Sequence, residues 1–242
     1  MITIWPLAIE GEIPAGADLP TLIAAAAPPL LDGDVVAVAH KAVAKAEGRV
    51  VDLAGVVPSS RALEIAGDES DPRAVELVLR ESRGIVRRRG SLLIAETHHG
   101  FVCASAGVDR SNVPGGDHAV LLPVDPDGSA RALRAALERA AGARLAVLVV
   151  DTMGRPLRNG IVGTAIGVSG LAPLRDLRGG VDPGGYILRT TSVAVADELA
   201  GAADLVLGKL ERVPAALIRG FAADGDGDAR ALIRPPERDL FR

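Results

Sequence analysis

The sequence predicts an α+β fold, with a mixed or antiparallel sheet and helices packed against it. Three observations lead there. Short β-branched runs alternate with Ala- and Leu-rich stretches at helical spacing. The alternation is not a strict βαβα order, because residues 92–122 read as consecutive strands joined by turns, which disfavours a doubly wound parallel sheet. Finally, 48% of the chain is apolar but only 2% is aromatic, so its 242 residues can fill a core, and must do so with Ala, Val, Leu and Ile.

In order along the chain, strands are predicted at 35–39, 92–95, 101–105, 119–122 and 145–150, each bounded by Gly, Asp or Pro. A helix over 72–83 brings Val75, Leu77 and Val78 to one face. A second, over 130–141, follows Asp127-Gly128-Ser129, a natural cap. A third, over 193–206, is led by Thr190-Thr191-Ser192, any of whose hydroxyls can cap it. No internal repeat or low-complexity linker is visible, so residues 1–242 are expected to form a single domain, with two subdomains as the variant.

Composition excludes several classes. A net charge of −4 and so few aromatic rings leave neither a basic field nor stacking platforms for nucleic acid. Arg87-Arg88-Arg89 is expected to be a solvated helix end. One cysteine, Cys103, allows no intrachain disulfide and no cysteine-rich zinc site. No basic leader precedes a long apolar run, and stretches such as 145–150 are too short to span a bilayer. A cytoplasmic protein with no membrane partner is the expectation. Asp224-Gly225-Asp226-Gly227-Asp228 resembles a calcium loop but has Ala229 and Pro235 where Gly and Glu are needed, so it reads as an acidic turn.

Both common phosphate devices are missing. The nearest P-loop, 203–210, has Ala203 for the first glycine and Leu210 for the hydroxyl residue. Gly163, Gly167 and Gly170 have three and two residues between them, and the dinucleotide fingerprint needs one and two.

Two motifs carry chemistry. Gly107-Val108-Asp109-Arg110-Ser111-Asn112-Val113 follows the strand at 101–105, and Asp151-Thr152-Met153-Gly154-Arg155-Pro156 follows the strand at 145–150. Each places a carboxylate just past a rigid strand, where the next loop can reach a ligand. Asp109, Asp151 and the Thr152 hydroxyl are hard oxygen donors suited to Mg²⁺ or Mn²⁺. The residues alone leave a second reading equally open, in which both aspartates simply cap their loops. Lys41 and Lys45, four apart, share a helical face and can present two ammonium groups to a polyphosphate; read alone, a solvated charged face is the simpler account. His98 and His99 read as polar loop residues, and Cys103 as a buried strand residue.

Taken together, Lys45-Ala46-Glu47-Gly48-Arg49, the Gly107 motif, DTMGRPLRNGIVGTAIG at 151–167, Val195-Ala196-Asp197-Glu198-Leu199, Gly208-Lys209 and Ile218-Arg219-Gly220 resemble the coenzyme F420-0:L-glutamate ligase family. The resemblance covers nearly the whole chain in family order. It implies a homodimer with a fold particular to the family and GTP as co-substrate. It also implies Mg²⁺ or Mn²⁺ (with K⁺ as a further ion), and F420-0 and L-glutamate as substrates joined through an acyl phosphate. By the same resemblance the metal ligands are Asp109, Asp151 and Thr152, and the catalytic residues are Asp109, Asp151 and Lys45. Nucleotide contacts fall on His40, Lys41, Lys45 and Asn112, and on the N-terminal loop Ala8, Ile9, Glu10 and Gly11. The late loop adds Leu207, Gly208, Lys209 and Leu210, then Glu211, Arg212 and Val213.

Two departures stand out. Ile9-Glu10-Gly11 occupies the place of a frequent Gly-Leu-Pro, and Lys209 stands where some members carry an acidic metal contact. Either Glu211 substitutes for that acid or Lys209 contacts phosphate. The C-terminal flavin domain of some bacterial relatives is not expected here. Two other functions remain to be weighed: a metal-dependent nucleotide phosphohydrolase, and a nucleotide-sensing dimer without turnover.

Overall fold

The computed structural model describes residues 1–113 and 115–240; residues 241–242, the end of the predicted domain, lie outside them. In chain order the elements are β1 (Thr3–Leu7), α1 (Leu19–Ala26), β2 (Val35–Ala39), α2 (His40–Ala46), β3 (Val50–Asp52) and α3 (Ser60–Ala66). Then come α4 (Pro72–Arg80), β4 (Ser82–Arg89), β5 (Leu92–Thr97), β6 (Val102–Ala104), β7 (His118–Val120) and α5 (Pro126–Ala141). The chain continues through β8 (Ala146–Arg155), β9 (Arg158–Ser169), β10 (Arg175–Asp176), β11 (Ser192–Val193), α6 (Val195–Leu207) and β12 (Ala215–Arg219). No helix among the described residues is long and apolar enough to cross a membrane.

The expected α+β class with a mixed sheet is what forms. Its centre is a five-stranded sheet in the order β1-β12-β2-β8-β9. Only β2 and β8 in it run parallel; the other neighbours are antiparallel. Alternate residues serve opposite faces: Val36, Val38, Val147 and Val149 meet α1, α2 and α5, while Val35, Ala37, Leu148 and Val150 meet α6. Burial on both faces is why β2 and the start of β8 read as unbroken apolar runs. A smaller three-stranded sheet, β4-β5-β6, packs on α3 and α4 through Ile65, Val75, Val78 and Leu93. A short antiparallel pair, β3-β7, packs with Leu77 of α4 through Ala119.

Several expectations need correction. Residues 145–150 are only the buried half of β8, which runs on to Arg155, turns through Pro156 and Leu157, and returns as β9. The outer half is half-buried at Asp151, Thr152 and Met153 and exposed from Gly154 on, and no apolar run marks it. Arg87-Arg88-Arg89 ends β4 and is not a helix end: its partners are Ile94, Leu93 and Leu92. The helix expected over 72–83 stops at Arg80, because Ser82 already pairs with Thr97. The third helix begins at Val195 without a side-chain cap, since Ser192 and Val193 pair with β10 instead. Strand β7 does not extend the run of 92–122 but pairs with β3.

The cap of α5 also lies earlier than Asp127-Gly128-Ser129. Asp125 caps it, accepting from the Gly128 N–H at 2.9 Å, and the helix starts at Pro126. Asp127 is buried instead and accepts from the N–H groups of Val168 (2.8 Å) and Ala229 (2.9 Å), joining α5 to β9 and the C-terminal segment. At the far edge of the sheet buried Asp34 receives Arg219 at 2.7 and 2.8 Å, and that guanidinium lies 5.4 Å over the Trp5 ring.

Strand β9 is gripped on both faces. Val149 pairs with Gly167 but Val150 with Ala165, a one-residue bulge that flips the side-chain alternation. Gly163 therefore meets α6, where a Cβ would lie 2.5 Å from the Ala200 carbonyl oxygen, and Gly167 meets α5, where it would lie 2.2 Å from that of Pro126. Backbone cannot yield as a side-chain tip does. Gly167→Ala is expected to cost about 1–3 kcal/mol, the usual scale of overpacking, read as a lower urea midpoint; an unchanged midpoint would show slack between β9 and α5.

Candidate active site at the carboxyl ends of the parallel strands

The sheet topology brings four chain segments to one end. Ala39 and Val150 are register partners of the parallel pair, so His40 and Asp151 are each the next residue out. Strand β12 is antiparallel to β2, hence the late loop enters at this end, with the Pro214 carbonyl accepting from the Ala39 N–H at 2.8 Å. Strand β1 is antiparallel to β12, so the N-terminal loop leaves here too. A crevice beyond the carboxyl ends of strands is where open sheets bind ligands. Here it is a cleft of about 260 Å³.

Its polar groups are paired. His40 Nε2 lies 3.2 Å from Asp151 Oδ1, and both side chains are largely buried. Lys41 Nζ is 2.6 Å from Asp109 Oδ2 and donates to Ser111 Oγ at 2.7 Å. Lys45 Nζ is 3.0 Å from Glu12 Oε2. Asp109 is carried by a bridge to Val120 of β7, which pairs with β3 just after α2. Asn112, at a positive φ of 57°, donates to the Lys209 carbonyl at 2.9 Å, closing the Ser111 loop onto the late loop. Burial pushes the Cys103 thiol up to about 12, with the Asp151 charge adding to the effect, so it stays protonated and is no nucleophile.

Most residues nominated from sequence line this cleft: His40, Lys41, Lys45, Asn112, Asp151 and Thr152, with Ile9 and Gly11 from the first loop. From the late loop Leu207, Gly208, Lys209, Arg212 and Val213 line it as well. Ala8, Glu10, Leu210 and Glu211 are not on its wall, and Asp109 reaches it only through Lys41. The Glu211 carboxylate turns back to the Leu210 N–H at 2.9 Å, so Lys209, not Glu211, faces the cleft. Sequence reasoning missed Glu12, Ser111 and Asp204. Asp204 sits in the last turn of α6, and a search for acids after strands does not reach it.

A family model for F420-0:gamma-glutamyl ligase matches residues 10–220. The chain belongs to that family. It is 47% identical to the coenzyme F420:L-glutamate ligase of Methanothermobacter thermautotrophicus, the match covering 98% of each chain. It is 46% identical to that of Methanopyrus kandleri over all of this chain and 98% of the other. With that of Methanocaldococcus jannaschii it shares 44% over 88% of this chain and 86% of the relative. The chain is therefore an enzyme of the ligase class.

Among the described residues of this ligase no three His, Cys, Asp or Glu side chains form a ready metal cage. The cleft wall nevertheless offers the oxygens of Asp151, Thr152 and Asp204, which are hard donors. Burial raises the Asp204 carboxyl above its ordinary value; the Gly163 N–H and the Lys209 charge pull it down, and the Asp151 charge pushes it further up. Two carboxylates that repel each other on one wall fit a divalent cation. A second mark is His40 Nδ1, buried and without a hydrogen-bond partner among the described residues.

Asp109 is already engaged. Burial pulls its carboxyl upward, but hydrogen bonds from Lys41 and Ser111 and the Lys41 charge outweigh burial and hold it below its ordinary value. Lys41→Met should raise the Asp109 pKa, read by carbon NMR of the carboxyl. A depressed carboxyl contributes stability above its unfolded value, about 3.9, and that contribution is lost as pH falls through the folded value. The destabilisation caused by Lys41→Met should therefore be full at neutral pH and fade in acid. A pH-independent loss would assign the effect to packing of the lysine stem.

Proposed function

We propose that this chain attaches L-glutamate to coenzyme F420-0 in the cytoplasm, using GTP and a divalent cation. The names of the relatives support the two substrates. One observation carries the chemistry: the ammonium groups of Lys41 and Lys45 converge with Asp151 and Thr152 on a single cleft at the carboxyl ends of β2 and β8. Such an arrangement suits transfer between polyanions, where positioning and charge screening do most of the catalytic work.

Lys41 and Lys45 hold the triphosphate as point charges. A carboxylate of F420-0 attacks the γ-phosphorus, the bond to the GDP oxygen breaks, and an acyl phosphate forms. The glutamate amine then attacks the acyl carbon; phosphate leaves with the C–O bonding pair and the amine proton passes to solvent. Mg²⁺ or Mn²⁺, when bound, supplies charge neutralisation at the phosphates, with Asp151, Thr152 and Asp109 as its holders and Asp204 beside them. As Lys41 takes phosphate, its carboxylate partner Asp109 is freed. The nucleophiles belong to the substrates, in keeping with a protonated Cys103.

The test is mass spectrometry of F420-0 incubated with GTP, L-glutamate and Mg²⁺ or Mn²⁺. A gain of one glutamyl unit that needs every component is expected, and Asp151→Asn should abolish it while circular dichroism and melting stay as in the wild type. Phosphate release without F420-0 and glutamate would instead make the chain a phosphohydrolase. GTP binding without either product would make it a sensor.

A homodimer is part of the same proposal. Support comes from apolar side chains left in solvent: Leu157 and Ile161 at the β8–β9 turn, and Val181, Tyr186 and Ile187 in the excursion before α6, each more than half exposed. Obligate homodimers commonly bury about 2,000 Å² or more. Sedimentation equilibrium should give twice the 24.8 kDa chain mass. A fully active species of the chain mass at micromolar concentration would remove the dimer.

A further inference from the structure

We propose that Glu12 is a carboxylate latch that the incoming triphosphate displaces, releasing the N-terminal loop from the late loop as the nucleotide enters. The proposal rests on the reading of the cleft as the nucleotide site. Its basis is one side chain bound to two cations from different parts of the cleft mouth. Glu12 Oε2 lies 3.0 Å from Lys45 Nζ on α2, and Glu12 Oε1 lies 3.9 Å from Arg212 Nη1 on the late loop. All three residues line the cleft.

The partners differ in exposure. The Lys45 side chain is 13% exposed, whereas that of Glu12 is 51% exposed. The ammonium is thus fixed in the wall, and the carboxylate is the partner that solvent can take back. Partly exposed ion pairs of this kind are weak, and a polyphosphate carries several charges against the one of Glu12. Both candidate phosphate ligands are masked in this way, since Lys41 holds Asp109 as Lys45 holds Glu12. The Asp109 pair is short and partly buried within the Ser111 loop, while Glu12 is half exposed on the N-terminal loop. Gly11 (φ 82°) and Gly16 (φ 79°) bracket that segment, and the Gly16 N–H is fastened to the Ala46 carbonyl at 2.8 Å. Losing the latch would free residues 11–15 without loosening Gly16.

The experiment uses the full chain with Glu12→Gln, which keeps the size of the side chain and removes its charge. Calorimetry with GTP, and separately with inorganic triphosphate, should show tighter binding by about two- to fivefold. Hydrogen exchange of the nucleotide-free protein should show faster exchange at residues 11–15 in the variant and no change in α2. Wild-type or weaker affinity for triphosphate would overturn the latch. Tighter binding without faster exchange would also overturn it, reducing Glu12 to a nearby negative charge. Lys45→Ala, measured beside it, should weaken GTP by about tenfold or more. If Lys45→Ala leaves GTP binding unchanged, the nucleotide site itself is misplaced, and that failure shows in a variant whose Glu12 is intact.

Discussion

The parallel pairing of β2 with β8 is the constraint on which this molecule depends. A parallel pair cannot be closed by a hairpin, and here 111 positions separate Ala39 from its partner Val150. Between the two strands the chain builds α2, the two smaller sheets and α5 before returning. Because the parallel pairing stops at Ala39 and Val150, His40 and Asp151 are the next residues out and meet without any loop having to reach. The antiparallel neighbours then do the rest: β12 delivers the late loop to that edge as it enters, and β1 delivers the N-terminal loop as it leaves. The cleft is thus assembled from the polarity of four strands.

The second theme is smallness. With few aromatic rings available, the layers are brought together by alanine and glycine, and close approach replaces bulk. Gly163 and Gly167 let α6 and α5 close on opposite faces of β9, and the bulge at Ile166 is what turns the two glycines to different sides. Such packing makes β9 stiff, and β9 is the strand that backs Asp151 and Thr152, paired with Thr164 and Gly163. Two of the three residues nominated as metal holders, Asp151 and Thr152, therefore sit on a braced ladder, the kind of support that keeps a site in register.

Much of this was legible in the sequence. Buried apolar runs marked β2 and the first half of β8, and the residues just beyond them, His40 and Lys41 after the one and Asp151 and Thr152 after the other, pointed to the cleft. The outer half of β8 and the start of β9 were not legible, because a polar, partly solvated ladder carries no apolar alternation and the Gly-rich 154–163 reads as a loop. The pairing of Arg87-Arg88-Arg89 with β5 was hidden for the same reason: an edge strand bearing arginines has the composition of a charged helix face. Asp204 and Glu12 eluded the reading because their importance comes from tertiary placement, one on a helix end and one in the N-terminal loop, with no local pattern to announce either. Asp127 shows the opposite error, where a good capping residue was assigned to a cap and instead holds two backbone N–H groups inside the core.

The pairing of Arg219 with Trp5 bears on how the molecule can be observed. Trp5 is the sole indole in the chain. It sits on the edge strand β1, under a guanidinium that Asp34 holds in place, and two residues ahead of Leu7, where the N-terminal loop departs. Intrinsic emission is consequently a local report on the main sheet and the root of that loop. Melting of the β4-β5-β6 layer would pass unseen by it, so an optical trace of this protein records one layer of the architecture and is blind to the other.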